Sequence, residues 1–159
     1  MSAPIPARIR DVLVSRLETI RQSAGFNTDL GLNVARGRVA YSRADLEFGP
    51  AVNLSTPGEE LIDITGLQHR IGLQISIEAF SLYADDPDAT ADALLADIKD
   101  AVLSADEPRL TDDAGPLGQK LEYLSAATDL PDPGELIVQV TAQLRCRYFE
   151  RYGAPSETY

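Results

Sequence analysis

Leu136-Ile137-Val138-Gln139-Val140-Thr141-Ala142-Gln143-Leu144-Arg145-Cys146-Arg147-Tyr148 alternates apolar and polar side chains almost without fault. Leu136, Val138, Val140, Ala142, Leu144, Cys146 and Tyr148 form one row. Gln139, Thr141, Gln143, Arg145 and Arg147 form the other, and Ile137 is the one exception. Successive side chains of a strand point to opposite faces, so this pattern predicts a long strand with one buried and one polar side. Such a strand belongs to an antiparallel sheet.

Working outward, a second alternation begins after His69: Ile71, Leu73, Ile75, Ile77 and Ala79 against Gly72, Gln74, Ser76 and Glu78, extending towards Leu82. This is a central-strand pattern. Between the two lies a helical spacing of Leu94, Leu95, Ile98, Ala101 and Val102, introduced by Asp86 as N-cap and Pro87 at the first helical position. It predicts a helix from about Pro87 to Ser104.

At the start, Ile9, Val12, Leu13, Leu17 and Ile20 predict a helix from about Ala7 to Ala24, with Gly25 at its left-handed end. Its outward positions carry Arg8, Arg10, Arg16 and Arg21 against Asp11 and Glu18, a basic helix on an acidic chain. Leu30 to Tyr41 reads as a strand region interrupted near Arg36 to Arg38. Ala51 to Thr56 alternates and is closed by Pro57 and Gly58, and Lys120 to Thr128 is a further strand whose register is open. Ala105 to Gly118, rich in Asp, Pro and Gly, reads as an exposed loop.

Runs of strands with two substantial helices predict an α+β fold, a mostly antiparallel sheet of about four to five strands with both helices packed on one face. The other face, with Gln74, Ser76, Glu78 and the polar row of the final strand, is then free of helices and open to solvent or to another subunit. The 159 residues are expected to form one domain, 1–159, with a flexible tail from about residue 153.

Composition bounds the function. Hydrophobic residues make up 44% and charged residues 25%, as in ordinary globular proteins. No apolar run reaches the roughly 20 residues of a membrane span, and Met1 to Arg10 carries no hydrophobic segment of an export signal, so neither membrane insertion nor secretion is expected. The formal net charge of -11 disfavours attachment to phosphate backbones or anionic lipid, while suiting a surface that DNA slides past.

Catalytic chemistry is sparse. His69 is the sole histidine and Cys146 the sole thiol, too few for a zinc shell, and Cys146 sits on the apolar row as a small buried hydrophobe. Asp85, Asp86, Asp88 and Asp92 lack the central Gly and terminal Glu of a calcium loop and are better read as helix capping. No glycine-rich phosphate loop is present. The expectation is no enzyme activity, no cofactor and no metal. The last segment differs, because Arg145, Arg147, Tyr148, Phe149, Arg151, Tyr152 and Tyr159 bring cations and aromatics together. Tyr and Arg are favoured at interfaces, although a frayed strand end fits the same residues.

Taken in order, "RDVLVSRLETI" from Arg10, "GFNTDLGLNVARGR" from Gly25, "FGPAVNLSTPGEE" from Phe48, "HRIGLQISIEAF" from His69, "ADALLADIKDAVL" from Ala91 and "PGELIVQVTAQLRCRYF" from Pro133 resemble the tail terminator, or tail completion, proteins of long-tailed bacteriophages. The resemblance implies a virion subunit that assembles in the host cytoplasm into a ring, usually hexameric, on the head-proximal end of the tail tube. Such a ring stops tube growth and presents a surface for head joining. The implied partners are further copies of the chain, the tail tube protein, and the head–tail connector or head-completion protein, with DNA passing through the channel without specific binding. Six copies carry a formal charge of about -66, six times -11. A closed ring needs two different complementary patches on each subunit, and the basic first helix and the acidic stretch from Asp85 to Asp113 are of opposite sign. Arg16, Arg21, Arg145, Arg147, Tyr148 and Tyr152 are the candidate subunit or tail-tube contacts. A head-completion or connector subunit is the nearest alternative, and a cytosolic ligand-binding domain using the polar sheet face as a pocket floor is a different one.

Overall fold

The two alternating rows are neighbours in one sheet. A computed structural model describes residues 3–37, 40–83, 85–104 and 106–157. It contains helices α1 (Ile5–Leu17) and α2 (Pro87–Val102) and strands β1 (Val34–Arg36), β2 (Ala51–Thr65), β3 (Gln68–Leu82), β4 (Arg109–Asp112), β5 (Gly115–Lys120), β6 (Glu122–Asp129) and β7 (Ile137–Arg151). Five strands form one sheet in the order β1-β2-β3-β7-β6, antiparallel except that β1 runs parallel to β2; β4 and β5 form a separate two-stranded sheet. The fold is α+β, as the periodicities predict.

Register places the apolar rows side by side: Ile71 opposite Tyr148, Leu73 opposite Cys146, Ile75 opposite Leu144, Ile77 opposite Ala142 and Ala79 opposite Val140. Cross-strand partners share a face, so this doubled row makes one apolar floor. Ile5, Ile9, Leu13 and Leu17 from α1 and Leu94, Ile98 and Val102 from α2 close over it in a single core. Each such side chain, fully removed from water, contributes about 1.5–3 kcal/mol relative to staying exposed.

α2 begins as expected, with the Asp86 carboxylate accepting hydrogen bonds from the amides of Asp88 at 3.0 Å and Ala89 at 3.2 Å. α1 is shorter than its periodicity suggested. It ends at Leu17, and Gln22–Ala24 is a separate 3-10 turn that Gly25 closes at φ 96°. The cause is Ile20, fully buried beyond the helix end, whose carbonyl accepts the Gly31 amide at 2.8 Å. That interaction pulls the chain off the helix axis while keeping an apolar residue at helical spacing.

Two further expectations need correction. β2 does not stop at Pro57 and Gly58 but runs on to Thr65, because a register shift between Ser55 and Gly58 absorbs the missing amide of proline. Residues 106–118 are not a plain exposed loop: they include β4 and most of β5, and Leu110 and Leu117 enter the core. Two leucines seven residues apart, amid Asp, Pro and Gly, leave no visible periodicity. The segment 30–41 contributes a 3-10 turn at Leu30–Leu32 and three-residue β1; Arg38 and Val39 lie outside the described residues.

The helix-free face is polar at its centre. At one end it is covered by 40–49, where Tyr41 and Leu46 pack with Ala51 and Phe80, the two rings 4.7 Å apart. At the other end 153–157 turns back: the Tyr152 amide donates to Leu67 O at 2.7 Å, and the Ile5 amide donates to Pro155 O at 3.0 Å. The segment expected as a tail thus contacts the start of α1; Tyr159 lies outside the described residues.

Candidate functional site

The open face is a hydrogen-bonded lattice. Gln139 Nε2 donates to Glu78 Oε2 at 3.1 Å and Gln143 Nε2 to Ser76 Oγ at 3.3 Å. Arg145, directly across from Glu122 on β6, donates to its Oε2 through Nε at 3.0 Å and Nη2 at 2.7 Å, and reaches Glu60 at 3.5 Å. Arg147 Nε lies 3.0 Å from Glu122 Oε1, an ion pair whose angle does not suit a hydrogen bond. Glu122 therefore anchors both arginines, a role that sequence did not single out because its partners are 23 and 25 positions away.

Tyr148 is placed on the core side, 1% exposed, with its hydroxyl donating to Glu59 Oε2 at 2.9 Å. Burial first, then that hydrogen bond, raises its pKa well above the ordinary phenol value. Glu150, also on the core side, is raised by burial and then by Glu59. Burial likewise pushes the Cys146 thiol up to about 12, with a smaller contribution from Glu122. Tyr148 thus supports the surface from beneath, while Tyr152 is two-thirds exposed with its ring edge-on to His69 at 5.4 Å.

The basic helix is largely engaged within its own subunit. Arg8 grips Asp112 with two bonds of 2.7 Å, and Arg10 Nη1 donates to Thr56 Oγ1 at 2.8 Å. Arg16, far from being a free surface cation, donates to the carbonyls of Val102 and Glu107 at 2.9 Å and of Arg109 at 3.3 Å. These contacts fasten α1 to the β4–β5 hairpin. The opposite charges expected to meet between subunits are thus partly matched inside one. Arg21 remains on the exposed surface beyond α1.

Sequence inspection also passed over a buried acid. Asp97 on α2, fully buried, accepts four hydrogen bonds from the loop before β1: Asn27 N at 2.9 Å, Asn27 Nδ2 at 3.0 Å, Thr28 N at 2.7 Å and Thr28 Oγ1 at 2.6 Å. In the same loop a Cβ on Gly31 would stand 2.6 Å from the carbonyl oxygens of Glu18 and Ile20, so only glycine lets the two backbones meet. The "GFNTDLG" stretch is therefore an element packed on α2 and on the end of α1, positioning β1 at the sheet edge.

Exposed apolar groups include two clusters, apart from Phe48, which is 98% exposed, and Leu32, Leu130 and Leu136. Leu61, Ile64 and Leu67 lie along the outer end of the β2–β3 hairpin, near Tyr152. Tyr123 and Leu124 lie on β6, with Lys99 Nζ 4.5 Å from the Tyr123 ring centre. Leu61, Ile62 and Ile64 among Glu59, Glu60 and Asp63 follow no regular alternation, because the register shifts between Leu61 and Asp63. Among the described residues, no group of three or more His, Cys, Asp or Glu is arranged to hold a metal ion.

No protein-family model matches the chain, and no curated protein matches it. Among solved structures, a chain described as part of a "Virion of native gene transfer agent (GTA) particle" matches with a TM-score of 0.54 at 17% identity, covering 85% of this chain and 90% of that one. At that identity the shared property is the fold: this α+β arrangement also occurs in a phage-like virion particle.

Proposed function

We propose that the chain is a structural subunit of a phage or prophage particle, forming a ring, hexameric by its resemblance to tail terminators, that caps the head-proximal end of the tail tube. There it ends tube polymerisation and presents a surface for head joining. The carrying observation is the fold shared, over nearly the whole of both chains, with a component of a gene transfer agent virion. A sheet face that neither α1 nor α2 covers, and exposed apolar groups on a small acidic subunit, support the same reading.

In this reading the partners are further copies of the chain, the tail tube protein and the head–tail connector. Arg21, Tyr152, Arg145 and Arg147 make the contacts between subunits or with the tube. Arg16 and Tyr148 act from within, holding the hairpin and the sheet end in place. DNA passes the acidic ring without specific binding. The site of action is the virion, with assembly in the host cytoplasm.

Light scattering on the size-separated protein, followed by negative-stain images with purified tail tubes, tests this. A ring with an axial hole, seated at one end of each tube, is expected. A protomer that binds no tube refutes it, and binding to filled heads instead of tails transfers the protein to the connector.

A further inference from the structure

We propose that β6 is a seam strand, pairing along its outer edge with the β1 edge of a second copy of this chain so that the five-stranded sheets join head to tail around the ring. This rests on the ring reading above. The strand order ends at β6 on one side and at β1 on the other, so each strand is hydrogen bonded along one edge within the sheet and presents backbone amides and carbonyls on the other.

None of the eight residues of β6 is buried, and none of the three of β1 is either. From Tyr123 to Thr128 it reads Tyr-Leu-Ser-Ala-Ala-Thr, with no charge and no proline. Solitary edge strands are normally blunted by Lys, Pro or inward charge, because an open row of backbone groups is a template for another strand. Small side chains at Ser125, Ala126 and Ala127 also let a neighbouring backbone approach closely.

Charge selects the partner edge. Acids close both ends of β6: Glu122 is matched by Arg145 and Arg147 within the subunit, while antiparallel pairing of two β6 strands brings Asp129 no cation from the partner strand. β1 instead ends in Arg36, which makes an exposed ion pair with Asp11 at 2.7 Å. Such pairs contribute little and exchange readily for a partner's acid. Both edges also carry an exposed leucine, Leu32 before β1 at 63% and Leu124 in β6 at 51%. Two unlike, complementary edges on one subunit are what a heterologous, closing contact requires.

Hydrogen exchange on the full-length protein, free and assembled, reads the seam directly. Amides of residues 122–129 and of 34–37 are expected to slow by about tenfold or more on assembly. The Ser125→Lys/Ala127→Lys variant, altered at exposed positions only, is expected to keep the thermal midpoint of the parent and lose the ring. A ring whose 122–129 amides exchange as in the free subunit, or that forms in the double-lysine variant, overturns the seam and leaves the ring reading standing. Slowing of 122–129 on tube binding alone, with 34–37 unchanged, assigns that edge to the tube protein and overturns pairing with a second copy. Protein that forms no ring and binds no tube overturns both.

Discussion

Replacing Asp97 by alanine should cost this protein about 3 kcal/mol, roughly a fifth to three fifths of an ordinary domain's stability. The carboxylate accepts four hydrogen bonds of 2.6–3.0 Å while fully buried. Bonds to a charged acceptor contribute about 1.5 kcal/mol or more each, roughly 6 kcal/mol for four before any offset. Four bonds that share one acceptor are not additive, and single substitutions rarely exceed about 4–5 kcal/mol, so the net loss is about 3 kcal/mol. For a chain of this length that loss lowers the thermal midpoint by roughly 6–12 °C.

Urea unfolding followed by far-ultraviolet circular dichroism measures the loss directly. Thr28→Val serves as the internal control, since it removes one of the four donors. It should cost about 1 kcal/mol in the parent and close to nothing once Asp97 is alanine, a coupling of about 1 kcal/mol. A shift below about 1 kcal/mol for Asp97→Ala, or equal costs of Thr28→Val in both backgrounds, would show that the loop is held by something other than this acid.

Gly31→Ala should destabilise by about 1–3 kcal/mol, because its Cβ meets two backbone oxygens at 2.6 Å; an unchanged urea midpoint would contradict the close approach. Asp112 is held below its ordinary value of 3.8, first by the hydrogen bond from Arg8. Its contribution is therefore complete above that value and disappears as pH falls through the lowered folded-state value. Asp112→Asn should flatten this part of the acid limb in urea midpoints measured from pH 6 downward. The Cys146 thiol, buried and pushed up to about 12, should resist a thiol reagent at pH 8 in native protein and react fully in denaturant; rapid native labelling would place it at the surface.

The periodic parts of the chain were legible before any coordinates. Ile71 through Ala79 and Val138 through Tyr148 announce two half-buried strands, and Leu94 to Val102 behind an Asp-Pro cap announces a helix, because side-chain period reports which local geometry buries one face. The candidate contacts were less legible. Arg16 looks like a solvated cation on a helical wheel, and nothing within a few residues reveals the carbonyls of Val102, Glu107 and Arg109 that it reaches. Tyr148 sits at the end of an apolar row and equally beside arginines, and only the fold puts its ring inside.

The residues thus specified their strands, helices and buried rows alone, since burial along a regular element follows a local repeat. Folding was needed to bring Asp97 to Asn27 and Thr28, Glu122 to two arginines, and β6 to an open edge with both faces exposed. Those relations join positions far apart in the chain, and a contact across such a distance depends on how whole elements pack, which no short window of residues contains.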